Sequence, residues 1–343
     1  MSDIRPVVWA EKEIVLLDQT SLPLDETNII CSDVDTLVDS IERLVVRGAP
    51  ALGVVGAYGV ALAMVQGTSE GWSDEKIYSE ILRIRNARPT AVNLAWGVDR
   101  VIESVDQGLE TILTLAHKIA AEDEQANRDL SKHGADWIMA KTGKSKLRVL
   151  THCNTGSLAT STWGTALGII RELNSRGAIE IVYADETRPL LQGARLTAWE
   201  LHQDGMNYLV QADGAAASTI MRGLVDFAVI GADRIAKNGD TANKIGSLGV
   251  ALACKEAGIP FMVAAPSSTV DLSYENGDAI EIELRSPGEV TNLHGVQIAP
   301  ELDKGFNPAF DVTPGRFISA VVTEHGVSET DTGETVEKLV KND

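Results

Sequence analysis

Leu147–Arg171 reads LRVLTHCNTGSLATSTWGTALGIIR. A largely apolar run from Leu147 to Thr151 ends in His152-Cys153-Asn154-Thr155-Gly156, and a Gly/Ala/Thr-rich helical stretch, Leu158–Asn174, follows. The pattern predicts a buried strand, a tight polar turn and a helix N-terminus, with a thiol at the junction. Unpaired backbone N–H groups at a helix start favour an anion such as a phosphate or a thiolate. A second junction of the same kind lies in Phe227–Ser247, FAVIGADRIAKNGDTANKIGS, where Asp233 leaves a buried strand and Asn243-Lys244 opens the next helix. One thiol, one carboxylate and two helix N-termini point to acid–base chemistry on a phosphorylated small molecule.

Around these junctions the chain alternates strand and helix. Apolar β-like runs occur at Arg148–Thr151, Glu180–Ala184, Asn207–Val210, Phe227–Ile230 and Pro260–Ala264. Helical stretches lie between them at Leu158–Asn174, Ala194–Gln203, Ala215–Arg222 and Asn243–Ala257. Successive βα units predict an α/β fold, a parallel sheet with helices on both faces in a Rossmann-like layout. Ligands of such sheets bind beyond the carboxyl ends of the strands, and Cys153, Asp185, Asp213 and Asp233 all fall there.

The preceding part is mainly helical with a small β segment. Val7–Trp9 and Ile14–Leu17 read as a hairpin, with Asn28–Cys31 as a third strand. Asp33–Val46 has helical apolar spacing, and further helices are expected at Pro50–Val65, Asp74–Asn86, Ala91–Val105 and Thr111–Lys141. Thr142-Gly143-Lys144-Ser145 marks the expected boundary, giving a helical domain over residues 1–142 and a Rossmann-like catalytic domain over 143–343.

Composition narrows the function. The 343 residues carry a net charge of −19, which argues against nucleic acid, whose phosphate backbone requires a basic face. Three cysteines, Cys31, Cys153 and Cys254, form no paired framework, so a reducing cytoplasm is expected. The opening MSDIRPVVWAEKE has no apolar signal core. Ala49–Gln66 lacks charge and approaches membrane-spanning length, but it is built of Ala, Gly and Val with Gly53, Gly56 and Gly59 at every third position. That is the composition of a buried helix packed closely on its neighbours, so no membrane is expected.

Cofactor and metal signatures are missing: no G-x-G-x-x-G follows a strand, no phosphate-binding G-x-x-x-x-G-K-[ST] exists, and the six histidines are scattered. Neither cofactor nor metal is therefore expected. Cys153 stands out from the other thiols by its place at a strand–helix turn. Asp233 follows VIGA, an apolar setting that would raise its pKa toward the working range of a general acid. Arg47-Gly48-Ala49 and Arg88-Pro89-Thr90 each set an arginine before a helix start, the chemistry of a phosphate clamp. Gln192 opens the helix after DETRP, where its amide could bind sugar hydroxyls or only cap that helix.

Six words of this sequence together resemble the methylthioribose-1-phosphate isomerases of methionine salvage. They are RGAPALGVVGAYGVAL from Arg47, RPTAVNLAW from Arg88, THCNTG from Thr151, DETRPLLQGARLTAWEL from Asp185, GADRIAKNGDTANKIG from Gly231 and FNPAFDVTP from Phe306. The resemblance implies a helical N-terminal domain, a Rossmann-like C-terminal domain and a homodimer. By motif match it gives Cys153 and Asp233 the catalytic roles, and gives Arg47, Gly48, Ala49, Arg88, Gln192, Asn243 and Lys244 contact with the substrate, a small sugar phosphate. SLATSTWGTAL after Cys153, and Ser247-Leu248, depart from the words usual in that family and bear on the pocket for the substituent at sugar carbon five. Two relatives share the fold: ribose-1,5-bisphosphate isomerase, and the regulatory subunit of the translation-initiation guanine-nucleotide exchange factor. The second is a binding protein that needs no catalytic residues.

Overall fold

In the computed structural model, which describes residues 3–89 and 91–340, the chain opens with an antiparallel sheet of β1 (Val7–Ala10), β2 (Glu13–Leu17) and β3 (Asn28–Cys31). Ile14 and Leu16 are buried while Glu13, Val15 and Leu17 are partly exposed, the alternation of a one-sided strand. Helices α1 (Val34–Glu42), α2 (Ala49–Glu70), α3 (Asp74–Arg85), α4 (Val92–Ile102) and α5 (Leu109–Thr142) follow. Asp33 starts α1 by accepting the Thr36 N–H at 2.7 Å. The helix ends at Glu42 rather than at the expected Val46, because Leu44 turns the chain at φ 66° and sends Val45 and Val46 into the core.

By length and composition α2 could cross a membrane, but 72% of its most apolar window is buried in the protein. Its glycines explain that composition. A Cβ on Gly97 of α4 would lie 2.0 Å from Gly53 O, and one on Gly56 would lie 2.4 Å from Leu94 O. The two helices thus cross at backbone distance, where any side chain would push them apart.

The rest of the chain forms β4 (Leu147–Thr151), α6 (Ala166–Ser175), β5 (Ile179–Asp185), α7 (Ala198–Gln203), β6 (Tyr208–Gln211), α8 (Ala216–Met221) and β7 (Phe227–Ile230). Then come β8 (Arg234–Ala236), β9 (Thr241–Lys244), α9 (Ser247–Ala257), β10 (Phe261–Ala264), β11 (Val270–Asp271), α10 (Gly288–Thr291), β12 (Asn292–Leu293) and β13 (Val296–Gln297). β14 (Phe310–Thr313), β15 (Ala320–Thr323) and β16 (Gly326–Ser328) complete it. The main sheet runs β16-β15-β10-β7-β4-β5-β6, parallel except for β16. Numbered by chain order, its six parallel strands lie 3-2-1-4-5-6, the doubly wound order, and β4 and β7 flank the point where that order reverses. Both faces are apolar. Val149, Val182, Phe227 and Val229 pack with α6 and the end of α5, whereas Leu150, Ala228, Ile230 and Val263 pack with α8 and α9.

Two compact units result, one reaching Gln125 and including Gly156–Gly164, the other holding Ala126–Thr155 and the chain from Thr165 onward. The expected break at 142/143 is therefore displaced into α5, and a short excursion is added. That excursion also corrects the helix expected at Leu158–Asn174, which begins only at Ala166. Residues 156–164 are rich in Ser and Thr, whose hydroxyls compete for the backbone: Ser157 Oγ accepts the Trp163 N–H at 3.0 Å, and Thr160 Oγ1 donates to Thr162 O at 2.9 Å. The helix expected from Asn243 starts at Ser247, because Asn243 and Lys244 end β9 and pair with Asp311 and Phe310 of β14. The stretch expected as helix from Ala194 begins as a π-helical turn, Gly193–Thr197, before α7.

Candidate active site

Cys153 lies two residues past the end of β4, 9% exposed and in the left-handed region at φ 67°. Its N–H donates to Thr187 Oγ1 at 2.8 Å and its carbonyl accepts from Thr197 Oγ1 at 2.6 Å. Thr187 is also left-handed, at φ 64°, and its N–H donates to Asp213 Oδ1 at 2.7 Å. A residue with a Cβ adopts such backbone only where its surroundings fix it, and that condition is met here. Next to the thiol, Asn154 Nδ2 donates to Glu200 at 2.7 Å, and Arg171 joins Glu200 to Asp204 in a buried ion group. Gly193 admits no side chain, since its Cβ would lie 1.7 Å from Asp185 O.

Beneath the turn, His152 is 1% exposed. Its Nδ1 lies 3.0 Å from Asp185 Oδ2 and its Nε2 lies 2.9 Å from Ile245 O. A carbonyl oxygen only accepts, so Nε2 carries a proton, and the Nδ1 contact holds another in common with Asp185. Burial pulls the His152 pKa down, but the Asp185 carboxylate outweighs it and the net shift is upward. Asp185 Oδ1 accepts from Gln211 at 2.8 Å, and the Asp213 carboxylate accepts the Thr187 and Arg188 N–H groups. His152, Asp185 and Asp213 lie close enough to share a cation. Their donor set does not favour one, because these internal hydrogen bonds already engage both imidazole nitrogens and all four carboxylate oxygens.

Asp233 follows β7, next to β4 in the sheet, so the topology sets the thiol and this carboxylate at neighbouring strand ends on the switch point. It is exposed, however, and the apolar surroundings expected from VIGA end at the strand. Sequence alternation does not tell where a strand stops being covered. Asn243 Nδ2 donates to Ser247 Oγ at 2.8 Å, tying the turn between β9 and α9. The N-terminus of α9, expected to be open to phosphate, is capped from within: Asp311 accepts the Gly246 N–H at 2.8 Å and the Leu248 N–H at 3.2 Å. Lys244 is 7% exposed, donates to Ala309 O at 2.9 Å and lies over the Phe310 ring. Lys244 and Gln192 line one narrow cavity with Leu190, Arg285, Asn307 and Ala309. Among the described residues nothing donates to the buried Gln192 Oε1.

The other unit holds Arg47, Gly48, Ala49 and Arg88. Gly48 caps α2 at φ 90°, and a Cβ there would lie 2.3 Å from Ala159 O. Ala49 is the first residue of α2 and is exposed. Arg47 and Arg88 are half-buried, each a few residues before a helix start as expected, while Thr90 lies outside the described residues. Thr187, Thr197 and His152 were not singled out from sequence, although all three lie inside the motif words. Their signal was position within THCNTG and DETRPLLQGARLTAWEL; only the fold brings those words together.

A doubly wound α/β unit with a strained thiol turn at its switch point, preceded by a mainly helical unit, defines the class of protein. The chain belongs to the initiation factor 2 subunit family, whose family model matches residues 45–330. Among its relatives, the methylthioribose-1-phosphate isomerase of Acetivibrio thermocellus is 44% identical, over 98% of this chain and 99% of that one. That of Xanthomonas axonopodis is 47% identical over 94% of this chain and 92% of its own. A probable bifunctional methylthioribose-1-phosphate isomerase/methylthioribulose-1-phosphate dehydratase of Nocardia farcinica is 47% identical, and this chain spans 59% of its length. Two crystal structures are similar: 5-methylthioribose 1-phosphate isomerase from Pyrococcus horikoshii, with a TM-score of 0.87, 39% identity and coverage of 95% and 92%; and a protein described as translation initiation factor eIF-2B, subunit delta, from A. fulgidus, with 0.85, 39%, and 94% and 95%.

Proposed function

We propose that this protein converts 5-methylthioribose 1-phosphate into 5-methylthioribulose 1-phosphate. The reading is carried by one observation: relatives bearing the isomerase name match it at 44–47% identity over almost its whole length. Carbon one of this substrate is locked as a phosphate ester, so ring opening needs a proton on the ring oxygen. Asp233 supplies it, and the electron pair of the bond between carbon one and the ring oxygen leaves with that oxygen.

Hydrogen then moves from carbon two to carbon one as the carbon-two hydroxyl becomes the ketone and gives up its proton. It travels either as hydride, with Cys153 stabilising the transition state, or as a proton removed by Cys153 and replaced on carbon one from an enediolate. Substrate deuterated at carbon two separates the routes: hydride transfer retains the label at carbon one, and proton abstraction exchanges it with solvent. Gln192 Oε1 takes a sugar hydroxyl, and Asn243 and Lys244 of the same unit take the substrate contacts that the motif match gives them. The exposure of Leu252, Leu284, Leu302 and Phe306 supports a homodimer, and three free cysteines support a cytoplasmic setting.

The test is turnover of methylthioribose 1-phosphate, ribose 1-phosphate and ribose 1,5-bisphosphate side by side. We expect the first to be preferred, and preference for the bisphosphate would reassign the substituent at carbon five. The similarity to the A. fulgidus structure favours one alternative, a non-catalytic subunit. Absence of turnover on all three would select it.

A further inference from the structure

Cys153 is held at both ends of its own backbone by hydroxyl groups from one segment, the connection between β5 and α7. Thr187 Oγ1 accepts the Cys153 N–H at 2.8 Å while it lies 3.0 Å from Asp185 O, to which it donates its proton. With that proton so directed, a lone pair faces the cysteine. Thr197 Oγ1 donates to the Cys153 carbonyl at 2.6 Å and lies 3.3 Å from Asn154 Nδ2, whose proton it accepts. Thr187 and Thr197 are essentially buried, at 0% and 1% exposure, so water does not replace either bond. The second threonine ends the π-helical turn Gly193–Thr197, and such turns shift the direction in which the following side chains leave the helix.

We propose that Thr187 and Thr197 are positioning residues that together hold Cys153 in its left-handed conformation and so fix the direction of its Cα–Cβ bond at the switch point. Neither hydroxyl needs to meet substrate. The three backbone conformations are interdependent. Cys153 is at φ 67°, Thr187 at φ 64° is fixed in turn by the Asp213 carboxylate, and Leu191 at φ 59° enters the π turn. Residues with a Cβ relax from such backbone when nothing opposes it, so losing one hydroxyl frees Cys153 toward the extended or right-handed region. This inference rests on Cys153 being the reacting thiol of the isomerase reading above.

Thr187→Val and Thr197→Val keep the shape of each side chain and delete the hydroxyl, and Thr187→Ser and Thr197→Ser restore it. We expect each valine variant to lower kcat roughly tenfold or more with KM within about twofold, the split left by losing an interaction that serves the transition state. The serine variants should recover most of kcat. A second readout needs no substrate: the rate of Cys153 alkylation by iodoacetamide, followed peptide by peptide, should change severalfold in the valine variants and return in the serine ones. If Thr187→Val fails to fold, Thr197→Val carries the same comparison. Wild-type kcat with an unchanged alkylation rate would overturn the proposal. So would a fall in kcat that merely tracks a lower Tm and that serine does not repair. If the wild-type protein turns over none of the three sugar phosphates, the functional reading fails, while the alkylation comparison still decides whether the threonines hold the thiol.

Discussion

The strand ends after β4 and β7 read alike in sequence, and the structure makes them opposites. After β4, Cys153 is buried, left-handed and bound at both backbone groups. After β7, Asp233 is exposed, its N–H donates to Ala242 O at 2.9 Å, and the chain turns into the hairpin of β8 and β9 instead of a helix. On the mechanism proposed above this is a division of labour: the buried thiol is aimed before substrate arrives, and the exposed carboxylate delivers its proton once substrate is there.

The comparison breaks most sharply at the two side chains themselves. Cys153→Ser and Asp233→Asn should each lower kcat by about 10³-fold, within the usual range for a general acid or base. Asp233→Asn, at an exposed position, should shift Tm less than the buried Cys153→Ser, as read by calorimetry beside the turnover assay. A near-wild-type rate in either variant would remove that residue from the chemistry.

A smaller effect, on folding first, is expected from Gly193→Ala. The added methyl would lie 1.7 Å from Asp185 O, so the turn that carries Thr197 must move. Overpacking of this kind costs about 3 kcal/mol, measurable by urea denaturation. The equivalent change at Gly249, whose Cβ would meet nothing within 4 Å, should be nearly silent.

The smallest effect on turnover should come from the far end of β7, which serves as the control for Asp233. Asp226 precedes the strand, 6% exposed, and accepts from Arg148 and Lys144. Burial works against its ionisation, but those cations and the Arg148 N–H hold its pKa down at about 2. The folded value lies below the unfolded one, so the stabilisation is complete above about pH 5 and is lost as pH falls from about 4 toward 2, amounting to about 2 kcal/mol. Asp226→Asn should lower stability at neutral pH, approach the wild type at the acid end and leave kcat unaltered. A change in kcat would mean that the two ends of the strand are coupled.

The main sheet was legible because buried parallel strands are written as unbroken apolar runs, and Phe227–Ile230 matches its prediction residue for residue. The turns were less so. SLATSTWG runs without a break into the helix that follows, but its hydroxyls favour turns and Asp123, distant in sequence, accepts both the N–H and the hydroxyl of Ser161 at 2.7 Å. Asn243-Lys244 looked like a helix start because its partner strand, β14, lies more than sixty residues downstream. Asp311, which caps α9, gave no local signal for the same reason. Motif words drew attention to Cys153, Asp233, Gln192 and Lys244 as candidates, but the threonines around the thiol became visible only when the β4 and β5 connections met in space.

The nine residues Gly156–Gly164 also set an order of manufacture. Gln19 Nε2 donates to Leu158 O at 2.8 Å, Thr162 Oγ1 donates to Ile4 O at 3.0 Å, and Asp123 waits for Ser161. The unit that begins near the N-terminus therefore lacks its last piece until the ribosome has passed residue 164, by which point β4 and the thiol turn have already been synthesised. Residues 1–142 expressed alone would be a domain with a missing insert, its buried Gln19 and half-buried Asp123 deprived of their partners at Leu158 and Ser161.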